Sequence, residues 1–186
     1  TAIGAKALDS NTTGYRNTAV GMNVLQANTT GDRNTGIGVQ ALYANTTGSR
    51  NTASGIYAFQ CNTTGNCNTA SGYMALFSNT TGINNTASGM KSLRQNTTGA
   101  NNTALGFCAL YSQGTGPSST AFGSHSLKSA TVGYNSASGA YSLQCTTTGT
   151  RNVAHGPYTI RVNTTGCENT AVGYQALIAN TTASYK

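Results

Sequence analysis

A motif of 17 residues, first complete over residues 11–27 as N-T-T-G-Y-R-N-T-A-V-G-M-N-V-L-Q-A, repeats along the whole chain of 186 residues. The register continues in altered form between Asn96 and Asn163, where one residue is missing between Gly133 and Gly139. Self-similarity at a short fixed period is typical of solenoids, in which each repeat forms one coil that contacts only its neighbours. Any fold for this chain must therefore repeat one small unit about eleven times.

The segments between glycines are only three to five residues long, too short for helices, and their Asn, Gly and Thr content disfavours helix. Short strands joined by Gly/Asn turns fit better, for example at residues 18–20 and 24–26. We therefore predict an all-β fold, a parallel β-solenoid (β-roll) of about eleven 17-residue coils, as a single repeat array over residues 1–186. Two coil shapes fit the period: a flattened two-sided roll, which is favoured, and a triangular helix with one residue trimmed.

Two repeat positions define this coil. Glycine fills one of them in every copy, which indicates a positive φ or tight packing against the next coil; its members are Gly4, Gly21, Gly38, Gly55, Gly72, Gly89, Gly106, Gly123, Gly139, Gly156 and Gly173. A large apolar residue fills the other and predicts one thin stacked core column; its members are Leu8, Leu25, Leu42, Phe59, Leu76, Leu93, Leu110, Leu127, Leu143, Ile160 and Leu177. We expect like residues to stack on like, with a coil rise of ~4.8 Å and Asn and Thr ladders along the axis. At the missing residue we expect a kink or bulge.

The chain starts and stops part-way through a repeat and shows no atypical capping repeat, so we expect it to be a fragment of a longer fibre protein. It has no run of about 18 apolar residues, so no membrane span is expected in this segment. The net charge of +7 includes Arg16, Arg33 and Arg50 at one repeat position, where they predict either a cationic ridge for acidic glycans or lipid headgroups, or a solvated loop. No recognisable module interleaves aromatic and basic residues, so nucleic acid is not an expected partner.

The recurrent T-A-x-G-x-x-A/S-L core, as in residues 18–21 and 136–143, resembles the head repeats of trimeric autotransporter adhesins and is similar to repeats of phage-type and bacterial tail-fibre proteins. The resemblance covers essentially the whole chain. It implies a left-handed parallel β-roll, usually trimeric, exposed at a surface and involved in adhesion. This sequence departs from adhesin heads in its longer period and its NTT insertion.

Asn-Thr-Thr satisfies the N-glycosylation sequon and predicts a column of covalent glycans. The alternative is that the asparagine side chain only caps the turn. The NTT sequons begin at Asn11, Asn28, Asn45, Asn62, Asn79, Asn96, Asn163 and Asn180, and further sequons begin at Asn84 and Asn101.

Five cysteines leave at least one thiol unpaired if the others form disulfides. Cys61 and Cys67 flank one NTT turn, and Cys145 and Cys167 lie one coil apart, so these two pairs are the disulfide candidates and Cys108 is left over. The alternative is five small buried side chains. No CxxC pair is present, so no zinc or other metal site is expected.

No catalytic residues are assigned. His125 and His155 occupy different repeat positions, the three acidic residues form no pair, and no G-x-S-x-G elbow can be assembled. We therefore expect no enzyme and no cofactor other than covalent glycan.

The leading hypothesis is a structural segment of an extracellular fibre or surface appendage, at a cell or virion surface, which self-associates into a fibre or homotrimer. The alternative is an adhesin or tail-fibre shaft that binds surface glycans. Ice binding is a less favoured third, because it requires two matched threonine ranks on one flat face and the adjacent NTT threonines point to opposite faces.

Overall fold

The computed structural model describes all residues from 1 to 186 and contains eleven short β-strands in one parallel sheet, in sequence order, with no helix. The predicted all-β parallel solenoid is confirmed. The strands are β1 (Ala2–Ile3), β2 (Thr18–Val20), β3 (Thr35–Ile37), β4 (Thr52–Ser54), β5 (Thr69–Ser71), β6 (Thr86–Ser88), β7 (Thr103–Leu105), β8 (Thr120–Phe122), β9 (Ser136–Ser138), β10 (Val153–His155) and β11 (Thr170–Val172).

Equivalent residues of successive repeats pair along the sheet. Thr35 aligns with Thr18 on one side and with Thr52 on the other, and the alanine or glycine that follows aligns in the same way. Side chains alternate across a strand, so the middle residue of each strand from β2 onward is buried while the residues on both sides face outward. Stacking of like on like, as predicted, is therefore confirmed.

The second flank of the coil is not a strand, which corrects the prediction for residues 24–26. Asn23 and Leu25 have φ values of 58° and 51°, and the same two repeat positions are left-handed in every coil. The backbone still bonds to its neighbours, because Leu25 N–H donates to Ala41 O (3.1 Å) and Ala27 N–H donates to Tyr43 O (3.1 Å). Each coil thus has a single β face, and this left-handed segment closes the other side.

The Asn-Thr-Thr-Gly turn binds a carbonyl of the next coil. The N–H groups of Thr29, Thr30 and Gly31 all point at Thr46 O, at 2.9, 3.3 and 3.3 Å, and Thr29 Oγ1 donates to the same oxygen. Successive N–H groups that converge in this way form a concave site for a negative atom. The turn is therefore part of the coil-to-coil stacking and not a loose loop.

The missing residue lies in a turn, and the sheet is not interrupted. Thr120 pairs with Ser136 across a 16-residue step, and the two residues after each continue that pairing. Tyr134 N–H donates to Pro117 O (3.1 Å), as Ser118 N–H donates to Ala100 O (2.9 Å) in the coil before. Gly133 therefore occupies the position of Pro117, which moves the deletion to residues 130–132 and corrects its predicted position after Gly133. The predicted kink or bulge does not fall in the sheet, where the pairing of β8 with β9 is continuous.

The core is thin and continuous. It consists of the strand alanines, the large apolar column and the small residues before that column, and most of its members are fully buried. Phe59 replaces leucine in one coil, and Ser92, Ser126 and Ser142 replace the small apolar residue in others. Each coil buries one large side chain on average, so stability depends on the coverage of each coil by the next.

Candidate functional surfaces

The NTT asparagines point into the coil and form a ladder along the axis. Asn45 Nδ2 donates to Asn28 Oδ1 (2.7 Å) in the preceding coil and to Gly48 O (2.9 Å) in its own turn. The amide has two N–H groups, and both are used. Six of these asparagines have no exposed surface: Asn28, Asn45, Asn62, Asn79, Asn96 and Asn163.

All six amides are buried in the folded array, and five of them donate both N–H groups within it, while Asn163 donates one to Gly166 O (2.9 Å). These side chains serve as turn caps and ladder residues, which is the alternative that the sequence left open, and glycosylation at these positions stays a prediction. Asn11 and Asn180, in the first and last turns, are half-buried and donate to Gly14 O (2.8 Å) and Ala183 O (3.1 Å). Glycosylation at these two stays a prediction.

The two further sequons are on the outside. Asn84 and Asn101 are exposed, and Asn84 Nδ2 makes one hydrogen bond, to Asn101 Oδ1 (3.2 Å). They occupy the position of Arg16, where each coil has a left-handed residue with φ between 56° and 65°. Their side chains are open to a modifying enzyme in the folded array.

A second asparagine ladder runs beside the first. The sequence predicted Asn ladders along the axis but did not identify the residues of this one. Asn34 N–H donates to Asn17 Oδ1 (2.9 Å), and Asn34 Nδ2 donates to Gly48 O (2.8 Å). The pattern continues through Asn51, Asn68 and further coils. The two ladders together satisfy the carbonyl of the turn glycine, which lies between them.

All five cysteines are free thiols, so the structure joins neither Cys61 to Cys67 nor Cys145 to Cys167. Cys61 N–H donates forward to Phe77 O, whereas Cys67 N–H donates back to Ser49 O, because the two residues stack in different columns. Burial raises the pKa of the Cys61 and Cys108 thiols. A raised pKa disfavours the reactive thiolate form at these two positions.

The predicted arginine ridge is partly neutralised. Asp32 lies 3.7 Å from Arg33, and Glu168 accepts a hydrogen bond of 3.1 Å from Arg151, which occupies the same column. Hydrogen bonds from Ser49 and Tyr15, together with nearby arginines, hold the pKa of Asp32 below its usual value. Two of the three acidic residues of the chain thus lie beside this ridge.

Exposed apolar side chains are concentrated beside the glycine that directly follows each strand, which we call the corner glycine. The sequence prediction missed this feature. Eleven of the seventeen exposed large hydrophobic residues lie one residue before or after a corner glycine, and their exposed fractions are 39–69%. Both positions are outward in every coil, so these residues form two parallel columns. We call this surface the corner stripe; it consists of Ile3, Met22, Ile37, Ile56, Tyr73, Met90, Leu105, Phe107, Phe122, Val172 and Tyr174.

The threonines do not form two matched ranks. The first residue of each strand makes one outward rank, which includes Thr18, Thr35 and Thr52. The partner rank on the same face mixes Val, Ile, Ser, Leu, Phe and His. The first threonine of NTT donates its hydroxyl to the next coil, as in Thr46 Oγ1 to Thr63 O (3.0 Å). This arrangement does not favour ice binding.

Side chains that could take part in catalysis or metal binding are dispersed over the rod. No set of three or more His, Cys, Asp or Glu side chains lies together, and no pocket opens on the surface. His125 packs on aromatic rings, while His155 is the last residue of β10. None of the chain forms a helix that is long and apolar enough to cross a lipid bilayer.

No protein-family model, curated protein or solved structure matches this chain. The solenoid and its outward columns of side chains are the features that bear on function.

Proposed function

We propose that this chain is a structural segment of an extracellular fibre or surface appendage, in which the solenoid is a rigid shaft. The observation that carries the proposal is the contrast between the inward and the outward columns of side chains. The inward columns of Ala, Leu, Asn and Gly keep their residue types in most coils, whereas most outward columns change from coil to coil. Such a pattern indicates that the repeat maintains stacking along the rod and not one local site.

The bonding scheme supports stiffness along the axis. Strand pairs, convergent turn N–H groups and asparagine ladders all join one coil to the next. Bending the rod stretches all three on its outer side. A shaft of eleven such coils spans about 50 Å at a rise of ~4.8 Å per coil.

The corner stripe supports self-association of this shaft through a lateral contact with a second copy of the same chain. Exposed apolar patches of more than a few hundred Å² are unusual on proteins that stay monomeric. The stripe follows the coil rise from Ile3 to Phe122, is interrupted beside Gly139 and Gly156, and returns at Val172 and Tyr174. A second copy of the solenoid presents apolar side chains with the same repeat. Closed arrangements such as a dimer or the predicted homotrimer, and open bundles, all use such a contact.

Replacing Ile37, Leu105 and Phe122 together with serine is expected to weaken lateral association by about a hundredfold, because each half-exposed apolar side chain contributes about 1 kcal/mol when it is covered. Serine already occupies this column at Ser54, Ser71 and Ser88, so the coil tolerates it. Sedimentation equilibrium of the purified chain measures the association constant.

The matched control is Thr52→Ser, Thr69→Ser and Thr103→Ser in the neighbouring outward column of the same face. This control is expected to associate like the unaltered protein. A monomeric unaltered protein at its highest soluble concentration, or equal association of both variants, contradicts the lateral contact.

We also propose that N-glycans, where the chain is exported through a glycosylating pathway, attach at Asn84 and Asn101 and not at the buried ladder. Secretion from a eukaryotic host is expected to add up to two glycans to residues 20–170, seen as discrete steps in intact mass. Asn84→Ser with Asn101→Ser removes both steps, and serine is native to this column at Ser118. Peptide mapping that finds glycan on Asn45 or Asn62 of folded protein contradicts this assignment.

Binding of surface glycans, as in an adhesin or tail-fibre shaft, is the second candidate function. The observation that favours it is a group of cations on the left-handed flank of the coil that have no acidic partner.

A further inference from the structure

The segment that follows each corner glycine contains two left-handed residues, such as Asn23 and Leu25, and forms the left-handed flank of the coil. This flank presents two neighbouring columns of largely polar, aromatic and basic side chains, which we call the turn face. The first column is the second residue after each corner glycine and includes Lys91, Cys108, His125, Tyr141 and Tyr158. The second column is the fifth residue after that glycine and includes Phe77, Arg94, Tyr111, Lys128, Gln144 and Arg161. Except for the buried Cys108, all of these side chains are half-buried, so they lie along the surface with their polar ends within reach of solvent.

Aromatic and basic residues alternate in the second column from Phe77 to Lys128. The Arg94 guanidinium lies between the rings of Phe77 and Tyr111, at 5.4 and 5.7 Å from their centroids. Its Nη1 donates to the Tyr111 hydroxyl (3.0 Å), while its Nε is buried and has no partner. These rings fix the direction of a cation whose hydrogen-bonding capacity is not filled by the protein.

Arg161 lies four coils beyond Arg94 in the same column and is held in the same manner. Its guanidinium lies 5.9 and 5.5 Å from the rings of Tyr141 and Tyr158, and its Nε donates to Gln144 Oε1 (3.0 Å). Those two rings stack on each other at 5.1 Å. The contact joins the two columns into one surface, because Arg161 belongs to the second and the tyrosines to the first.

Lys91 and Lys128 complete the cationic set. Lys91 and Arg94 lie in the coil before Cys108 and Lys128 lies in the coil after it, so these three cations lie on both sides of that residue along the rod. The pKa of His125 is lowered by burial and by Lys128. The sequence contains no acidic residue between Asp32 and Glu168, and both of those lie beside the arginine ridge. The four cations of the turn face are therefore not neutralised.

We infer that the turn face binds a linear acidic polysaccharide that lies along the rod. Arg94, Lys128 and Arg161 follow one another at every second coil, which places a positive charge about every 9.6 Å along the axis at ~4.8 Å per coil. An extended polymer with regularly repeated carboxylates can contact all of them at once, and many weak contacts then add in one chain.

Single-stranded nucleic acid fits this surface less well. Proteins bind single strands with free aromatic faces on which bases stack. Here the ring faces are already covered, those of Tyr141 by His125 and Tyr158, and those of Phe77 and Tyr111 in part by Arg94. What remains open to a ligand is charge without stacking platforms, which suits an acidic polysaccharide. This inference concerns what the shaft binds and does not depend on the lateral contact through the corner stripe.

The test uses the whole chain and polygalacturonate as the probe, with neutral dextran and oligothymidylate as comparison ligands, in calorimetric titrations at low and raised salt. The variant is Lys91→Gln, Arg94→Gln, Lys128→Gln and Arg161→Gln. Glutamine is native to both columns, at Gln40 and Gln175 in the first and at Gln26, Gln60 and Gln144 in the second, so the coil accepts it.

The charge-matched control is Arg16→Ser, Arg33→Ser, Arg50→Ser and Arg151→Ser on the ridge, where serine is native at Ser118. We expect the turn-face variant to bind polygalacturonate at least about tenfold more weakly, from a few tenths of a kcal/mol per charge. The ridge control is expected to change affinity by less than about threefold, and raised salt to weaken binding. Circular dichroism spectra verify that both variants are folded.

Four outcomes overturn the inference. The first is no binding of polygalacturonate by the unaltered chain. The second is equal loss in the two variants, which shows a response to net charge alone. The third is equal binding of dextran. The fourth is tighter binding of oligothymidylate, which identifies nucleic acid as the ligand.

Discussion

Gly89→Ala is expected to lower the free energy of unfolding by about 2–6 kcal/mol. The φ of Gly89 is 123°, which L-residues rarely adopt, and this strain alone costs about 1–3 kcal/mol. A Cβ at Gly89 also comes within 2.7 Å of Gly106 O and 2.8 Å of Gly106 C in the next coil. Backbone atoms cannot turn away as a flexible side chain does, so the coil contact must open at a further cost of about 1–3 kcal/mol. Urea titration followed by circular dichroism measures the loss.

Gly114→Ala is the matched control for this substitution. No atom lies within 4 Å of a Cβ built on Gly114, and its φ is outside the left-handed region. Most coils have threonine at this position, for example Thr80 and Thr97. Alanine is therefore expected to be neutral or to stabilise by up to about 1 kcal/mol, because it restricts the unfolded chain. If Gly89→Ala costs no more than the neutral Gly114→Ala, the corner glycine tolerates a side chain and does not pack tightly against the next coil.

The repeat period predicted most of the fold, because a strict 17-residue spacing with one corner glycine per copy leaves few alternatives to stacked coils. The sequence also assigned the leucine column to the core correctly. It failed on the segment around Leu25, where a β-like pattern of Val, Leu and Gln suggested a second strand. Leucine at a φ of 51° contradicts ordinary backbone preference. Only the neighbouring coils, which bond to this segment on both sides, determine its conformation.

The sequence left the role of the NTT asparagine open, because one residue type supports two opposite interpretations. The asparagine of NTT satisfies a sequon, which indicates an exposed site, yet it also caps the turn from inside. Nothing within one repeat distinguishes the two, because the direction of the Asn45 side chain depends on the acceptor that Asn28 offers from the coil before. The corner stripe, in contrast, was visible in the sequence. Alignment of the residues on both sides of the corner glycine shows the apolar columns directly.

The missing residue shows which part of the coil can vary. The deletion shortens the Asn-to-Asn turn at residues 130–135, while Ala121 and Ala137 remain paired in the sheet. A change in the strand would reverse the side chains between the inside and outside of the coil, since their direction alternates at every residue. A change in the turn alters only the local bonding to the next coil. Loss of residues is therefore tolerated in the turn and excluded from the strand.

Asn51→Ala is expected to lower the free energy of unfolding by about 2–4 kcal/mol. Asn51 Nδ2 donates to Gly65 O (2.8 Å), and its Oδ1 accepts from Asn68 N–H (2.9 Å) in the next coil. Gly65 O keeps a second donor, Asn62 Nδ2 (3.1 Å), so the main loss falls on the buried N–H of Asn68. A buried donor without a partner costs about 1–3 kcal/mol, and the vacated volume adds to it.

Asn51→Ser separates the hydrogen bond from the packing. In this column Ser119 Oγ accepts from Asn135 N–H (3.3 Å), so a serine hydroxyl can replace the asparagine oxygen as acceptor. Serine is therefore expected to cost about half as much as alanine, and Asn84→Ser on the exposed side is expected to stay within about 0.5 kcal/mol. Hydrogen exchange locates the effect, because coils contact only their neighbours and faster exchange should be confined to residues 34–85. If alanine and serine at position 51 cost the same, or if exchange accelerates along the whole rod, the asparagine ladder does not join the coils in the manner described.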